Sequence, residues 1–144
     1  MCRLQLGWDE EMPANELQQW KNLIEQLPRL ANFKLARNYT PASFGKVKSY
    51  KLHHSSDASQ SGYGTTTYLR IVNEAGEVHC TLMMARARVA PLKRSTIPRL
   101  ELTAAIVAAH MNCKLQEELD IPLEDSVFWT DSTSVLKYLL NEEA

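Results

Sequence analysis

Apolar and polar positions alternate through the middle of this chain and then change to a helical spacing. Lys51 to Asp57, Tyr63 to Val72 and Val78 to Val89 read as strands; in the third, Val78, Cys80, Leu82 and Met84 alternate with His79, Thr81 and Met83. The second and third are joined by NEAGE, a turn-type loop of hairpin length. Together they predict an antiparallel meander.

TIPRLELTAAIVAAHMNCKLQEEL follows and reads as a long helix, with Pro98 tolerated in its first turn. Leu100, Ala104, Val107, Ala108, Met111 and Leu115 form its buried stripe, and the alanines between 104 and 109 allow close packing on a sheet. DSVFWTDS then reads as a compact strand with Val127, Trp129 and Asp131 on one face. Ser132 or Ser134 can cap a further helix that Val135, Leu136, Leu139 and Leu140 begin. Three strands, a helix, a strand and a helix predict an α/β fold with a mixed sheet covered by helices.

Upstream, PANELQQWKNLIEQLPRL carries Leu17, Trp20, Ile24 and Leu27 at helical spacing, with Asn15 and Gln18 in a capping-box-like relation. A short amphipathic helix ending near Pro28 is expected. From Pro28 to Tyr50 there is no clean period, and the stretch reads as an irregular connection or a few edge strands. A soft boundary near Lys46 to Ser49 divides a connecting segment, 1–48, from the main domain, 49–144.

Composition narrows the function classes. At 144 residues and 44% hydrophobic the chain can build a real core. Sixteen basic against seventeen acidic residues give a net charge of −1, so nucleic-acid binding would have to rest on a local patch. One such patch exists: Arg86, Arg88, Lys93, Arg94 and Arg99 fall in a window without Asp or Glu, which otherwise reads as a solvated basic loop. Cys2, Cys80 and Cys113 show no CxxC pairing, which argues against a disulfide framework and a zinc site. With no apolar run of membrane-spanning length and no signal-peptide pattern, a cytoplasmic or nuclear protein is expected.

Three carboxylates stand at element boundaries. Asp57 is expected to end the first strand, Glu101 to lie in the first turn of the long helix, and Asp131 to end the fourth strand. If the first and fourth strands are neighbours, the two aspartates emerge side by side and the crossing helix can bring Glu101 over them. Such hard oxygen ligands are what Mg²⁺ or Mn²⁺ requires, and two ions roughly 4 Å apart can activate water and stabilise a leaving oxygen at a phosphodiester. Small residues after Asp57 would let a metal and a bulky polymer approach, and the strand-borne Asp131 in WTDST is expected to have buried aromatic support. Taken singly, each acid has a plainer role as a turn residue, a helix-terminus charge or a cap.

SDASQSGYG, then RVAPLKRSTIPRLEL, then FWTDSTSVL resemble the ribonuclease H region of BEL/Pao-type retrotransposon polyproteins, sometimes labelled Pao retrotransposon peptidase. LGWDEEMP with Trp20 and LPRL resembles the connection that follows the reverse transcriptase. The likeness runs over nearly the whole chain, with the motifs in the family's order. It implies a ribonuclease H-like mixed sheet and hydrolysis of the RNA strand of an RNA:DNA hybrid with Mg²⁺, for which Mn²⁺ can substitute. Asp57 would bridge two ions, Glu101 would hold one and orient the phosphate, and Asp131 would complete the other shell. Ser59, Gln60 and Ser132 would touch the substrate backbone or 2′-hydroxyls, and Arg86, Arg88, Lys93, Arg94 and Arg99 its phosphates. The implied partner is the reverse transcriptase domain of the same polyprotein, in retrotransposon particles.

Two departures from the family pattern stand out. The family's fifth strand, last helix and fourth acidic ligand lie beyond Asn141, Glu142, Glu143 and Ala144, so a truncated domain is expected. Ser55 is polar where the first strand would carry a large apolar residue. The truncation supports an alternative, a catalytically inactive module that binds nucleic acid or serves as a structural segment. An aspartic peptidase is disfavoured, because TDSTS has Thr133 where a DTG or DSG loop needs glycine. His53, His54 and His79 are discounted as a zinc site, since adjacent strand residues point to opposite faces.

Overall fold

The computed structural model describes residues 6–7, 9–34, 38–93 and 95–141. It separates into two units, Met1–Arg37 and Asn38–Ala144.

The first unit holds α1, Ala14–Gln26, continued by a 3-10 turn, Leu27–Asn32. Helical geometry runs past Pro28 because proline is acceptable in the first turn of a new helical segment, where its missing N–H has no intrahelical partner. The capping box does not form. Pro13 precedes α1 without a side-chain cap, Asn15 lies inside the first turn, and Gln18 Nε2 donates to Asn22 Oδ1 at 2.9 Å. The expected apolar stripe is present but no residue of α1 is buried.

The second unit is a four-stranded sheet of order β3-β2-β1-β4 with two helices. Its strands are β1 (Val47–Ala58), β2 (Gly62–Asn73), β3 (Val78–Val89) and β4 (Leu123–Trp129); its helices are α2 (Ile97–Glu118) and α3 (Thr133–Leu140). β1, β2 and β3 form the antiparallel meander, and the α2 crossover returns β4 parallel to β1. This is the mixed α/β architecture the pattern predicts.

On β1, Leu52 and His54 are buried while Ser55 and Asp57 are exposed, so alternation sends the even-numbered residues toward α2. Leu52, Leu69, Ile71 and Leu115 form the core cluster, with Tyr39, Phe44 and Val47 packed against it. The stretch before β1 is therefore part of the second unit. α2 buries Leu100, Ala104, Ala108, Met111 and Leu115, and Val107 is half-buried. The β2–β3 turn closes through buried Asn73, whose Nδ2 donates to the Phe44 carbonyl at 2.7 Å and whose Oδ1 accepts from Glu77 N at 2.8 Å. Gly76, at φ 83°, supplies the left-handed turn residue.

Strict alternation fails in β3. The pairing steps from Thr67↔Met84 to Tyr68↔Leu82, a bulge that leaves Met83 extra, and both methionines pack on the core. Val78 and Leu82 consequently face solvent.

Candidate functional site

The site is built where β1 and β4 end. Ser55 and Trp129 are the last Cα partners of the parallel pair, and Asp57 and Asp131 each lie two residues further on. Parallel register thus delivers both carboxylates to one end of the sheet from neighbouring chains. Asp57 is the penultimate residue of β1, opposite Gly64, and its Oδ1 accepts from Ala58 N at 2.7 Å. Asp131 does not end a strand: β4 stops at Trp129, and Asp131 sits in the connection to α3. Both aspartates are exposed.

Glu101 is the fifth residue of α2, in its second turn rather than its first, because the helix begins at Ile97. Its carboxylate accepts a short hydrogen bond from the Ser132 hydroxyl. Ser132 is buried, and as N-cap of α3 its oxygen also accepts from Val135 N at 3.2 Å. One side chain beside Asp131 therefore joins Glu101 to the start of α3. Strand alternation turns Asp57 toward the face away from α2, while Glu101 belongs to α2.

The carboxylate oxygens are hard donors of the kind a divalent cation takes, and two of the carboxylates share one sheet end. Among the described residues, however, no three His, Cys, Asp or Glu side chains are gathered closely enough to hold a metal ion.

The turn after Asp57 is closed by Ser59, whose N donates to the Gly62 carbonyl at 2.7 Å and whose Oγ accepts from Ser61 N and Gly62 N at 3.3 Å. The glycines serve the sheet itself. A Cβ on Gly62 would sit 2.7 Å from the Arg88 carbonyl oxygen, and one on Gly64 3.1 Å from that of Arg86. The missing side chains of these two glycines thus make way for β3, while Asp57, Ala58 and Ser59 border open space.

Arg86 and Arg88 are exposed on β3 and, with Asp57, Ser59 and Thr66, line an open groove of about 680 Å³. Gln60 and Arg99 are exposed outside that groove, as is Lys93. Arg94 lies outside the described residues.

The aromatic residues before Asp131 are not in the core. Phe128 is 49% and Trp129 56% exposed, because β4 is an edge strand among the described residues. Each instead stacks on a β1 histidine. Trp129 Nε1 donates to His53 Nδ1 at 3.1 Å, and the Phe128 ring lies 4.7 Å from that of His54. The two histidines take opposite faces, as adjacent strand residues must, and both have lowered pKa values. Burial is the largest cause for each; Arg70 and then Lys51 add to it for His53, and His53 adds to it for His54, against the hydrogen bond that His54 makes to the Asn112 side chain. Sequence reasoning found the acids and missed this histidine support, whose only local signal is two histidines in a strand.

No curated protein matches the chain. Among solved structures it is similar to a chain from the crystal structure of LC11-RNase H1 in complex with RNA/DNA hybrid, with 13% identity and a TM-score of 0.31. That alignment covers 62% of this chain and 59% of the other, under two thirds of the latter's length. The family description "Pao retrotransposon-like RNaseH-like domain" matches residues 1–132. This chain belongs to that family.

Proposed function

We propose that the domain cleaves the RNA strand of RNA:DNA hybrids during retrotransposon reverse transcription, with Asp57, Asp131 and Glu101 as its acidic centre. The observation that carries the reading is the parallel pair Ser55↔Trp129, beyond which both aspartates leave the same sheet end. Family membership supplies the reaction class. Asp57 and Asp131 would hold Mg²⁺ or Mn²⁺, and Glu101, oriented by Ser132, would approach from the helix side. The metal would supply charge stabilisation and a water of lowered pKa. Exposure of both aspartates leaves room for a bulky substrate.

Arg86 and Arg88, along one groove with Asp57, would contact backbone phosphates, adding salt-dependent affinity without base selectivity. Ser59, Gln60 and Arg99 are weaker candidates for the same backbone. The reverse transcriptase domain of a common polyprotein is the proposed partner, and a retrotransposon particle in cytoplasm or nucleus the proposed setting.

A second reading, a module that binds hybrid without cutting it, is favoured by one observation: the Glu101 carboxylate is engaged by Ser132 and is not gathered with the aspartates. Incubation with an end-labelled hybrid and Mg²⁺ or Mn²⁺ separates the two. RNA fragments support the nuclease; retention of intact hybrid supports the binding module.

A further inference from the structure

One hydrogen-bond network, buried at His54 and Thr67 and part-buried at Asn112 and Ser126, touches β1 and α2, which carry Asp57 and Glu101, and β4, which leads to Asp131. His54 of β1 is fully buried, with Nδ1 2.8 Å from Thr67 Oγ1 on β2 and Nε2 3.1 Å from Asn112 Oδ1 on α2. Ser126 of β4 donates its hydroxyl to the same Asn112 oxygen at 2.6 Å. A carboxamide oxygen only accepts, so His54 Nε2 carries the proton and Nδ1 accepts from Thr67. The neutral ring has both nitrogens satisfied.

Asp57 follows His54 by three residues on β1, about 10 Å of strand. Asp131 follows Ser126 by five, and Glu101 precedes Asn112 by eleven, about 16 Å of helix axis. The parallel strands run from the network toward the acids, and α2 runs from Glu101 back to it. The network is the base of a frame whose other end holds the carboxylates.

Such a frame needs a register device. The helix face against the sheet carries Leu100, Ala104, Ala108, Met111 and Leu115; the two alanines permit close approach but leave the turn between Leu100 and Met111 without a large side chain to key it against sliding. A slip of one residue would move Glu101 by about 1.5 Å and turn it by about 100°. A fully satisfied polar network specifies one arrangement where flat packing would allow several.

We propose that Asn112, held between His54 and Ser126, is a positioning residue that registers α2 against β1 and β4 and thereby sets where Glu101 stands relative to Asp57 and Asp131. Its catalytic consequence rests on the nuclease reading; its geometric consequence does not.

The test compares Asn112→Leu, which removes the shared acceptor at similar size, with Asn112→Asp, which keeps an acceptor for both donors. Mn²⁺ affinity, hybrid-cleavage kinetics and the amide NMR signals of Glu101, Asp131 and Ser132 are read at pH 8. Expected for Asn112→Leu are shifted signals, weakened Mn²⁺ binding, and a lower kcat with KM for hybrid within about twofold. Asn112→Asp should restore all three. Ser126→Ala, a milder loss, replaces the leucine variant if that one does not fold. Unmoved signals and unchanged Mn²⁺ affinity in a folded Asn112→Leu or Ser126→Ala overturn the proposal, as does failure of Asn112→Asp to rescue. A wild-type chain that neither binds Mn²⁺ nor cuts hybrid removes the nuclease reading, and the NMR signals alone then decide the positioning role.

Discussion

The hydroxyl of Ser132 donates to the carboxylate of Glu101 while its oxygen caps the first turn of α3. A residue next to one candidate acid thus orients another and starts the following helix.

Ser132→Ala removes both bonds. Loss of the cap alone costs about 1 kcal/mol, and Glu101 loses its donor, so catalysis should fall by more than the stability change explains. Ser132→Thr keeps a hydroxyl and should restore cleavage. Thermal melts and single-turnover cleavage on the three proteins check this; an alanine variant that is less stable but fully active would reduce Ser132 to a helix cap.

Gly62→Ala should destabilise more than Gly64→Ala, because the new methyl would meet the Arg88 carbonyl at 2.7 Å and the Arg86 carbonyl at 3.1 Å respectively. A cost of about 1–3 kcal/mol is expected for Gly62, as for other overpacked sites. Urea unfolding of both variants gives the order directly.

Stability should decline as pH falls below about 6.5, the ordinary histidine value. His53 and His54 both have lowered pKa values in the folded chain, chiefly through burial. Between the unfolded and folded values the unfolded chain takes up protons that the folded chain refuses, so the stabilisation is complete above the unfolded value and is lost as pH drops through the folded ones. Melts from pH 8 to 5 measure the slope, and His54→Leu should flatten part of it even though it lowers stability at pH 8.

The alternating and helical stretches were legible because burial on one face leaves a local period. β3 spans Val78–Val89 as its pattern predicts, and five residues of the α2 stripe are buried. What escaped depends on partners distant in the chain. The Met83 bulge, the glycines yielding to β3, and the bond from His54 to Asn112 are set by strand register and helix placement, which no local pattern contains. The acids were visible as residues at boundaries, but their exact places shifted. Asp131 lies past its strand and Glu101 one turn into its helix, because element ends are fixed by caps and pairing rather than by period.

Replacing Arg86 and Arg88 together with alanine should weaken hybrid binding uniformly across sequences and lower the slope of log affinity against log salt by about 2, one for each phosphate no longer neutralised. Binding titrations at several salt concentrations check it, and an unchanged slope would leave both arginines as ordinary surface charge.

The most direct test is cleavage of an end-labelled RNA:DNA hybrid in Mg²⁺ or Mn²⁺ by the wild-type chain, Asp57→Asn and Asp131→Asn. Both aspartates are exposed and neither is in a salt bridge among the described residues, so the variants should fold with stability changed by no more than about 0.5 kcal/mol. The expected result is RNA cutting by the wild type and a loss of about 100-fold or more in each variant. Equal cutting by all three would contradict an acidic centre at this sheet end, and no cutting by the wild type would leave the domain as a binding module.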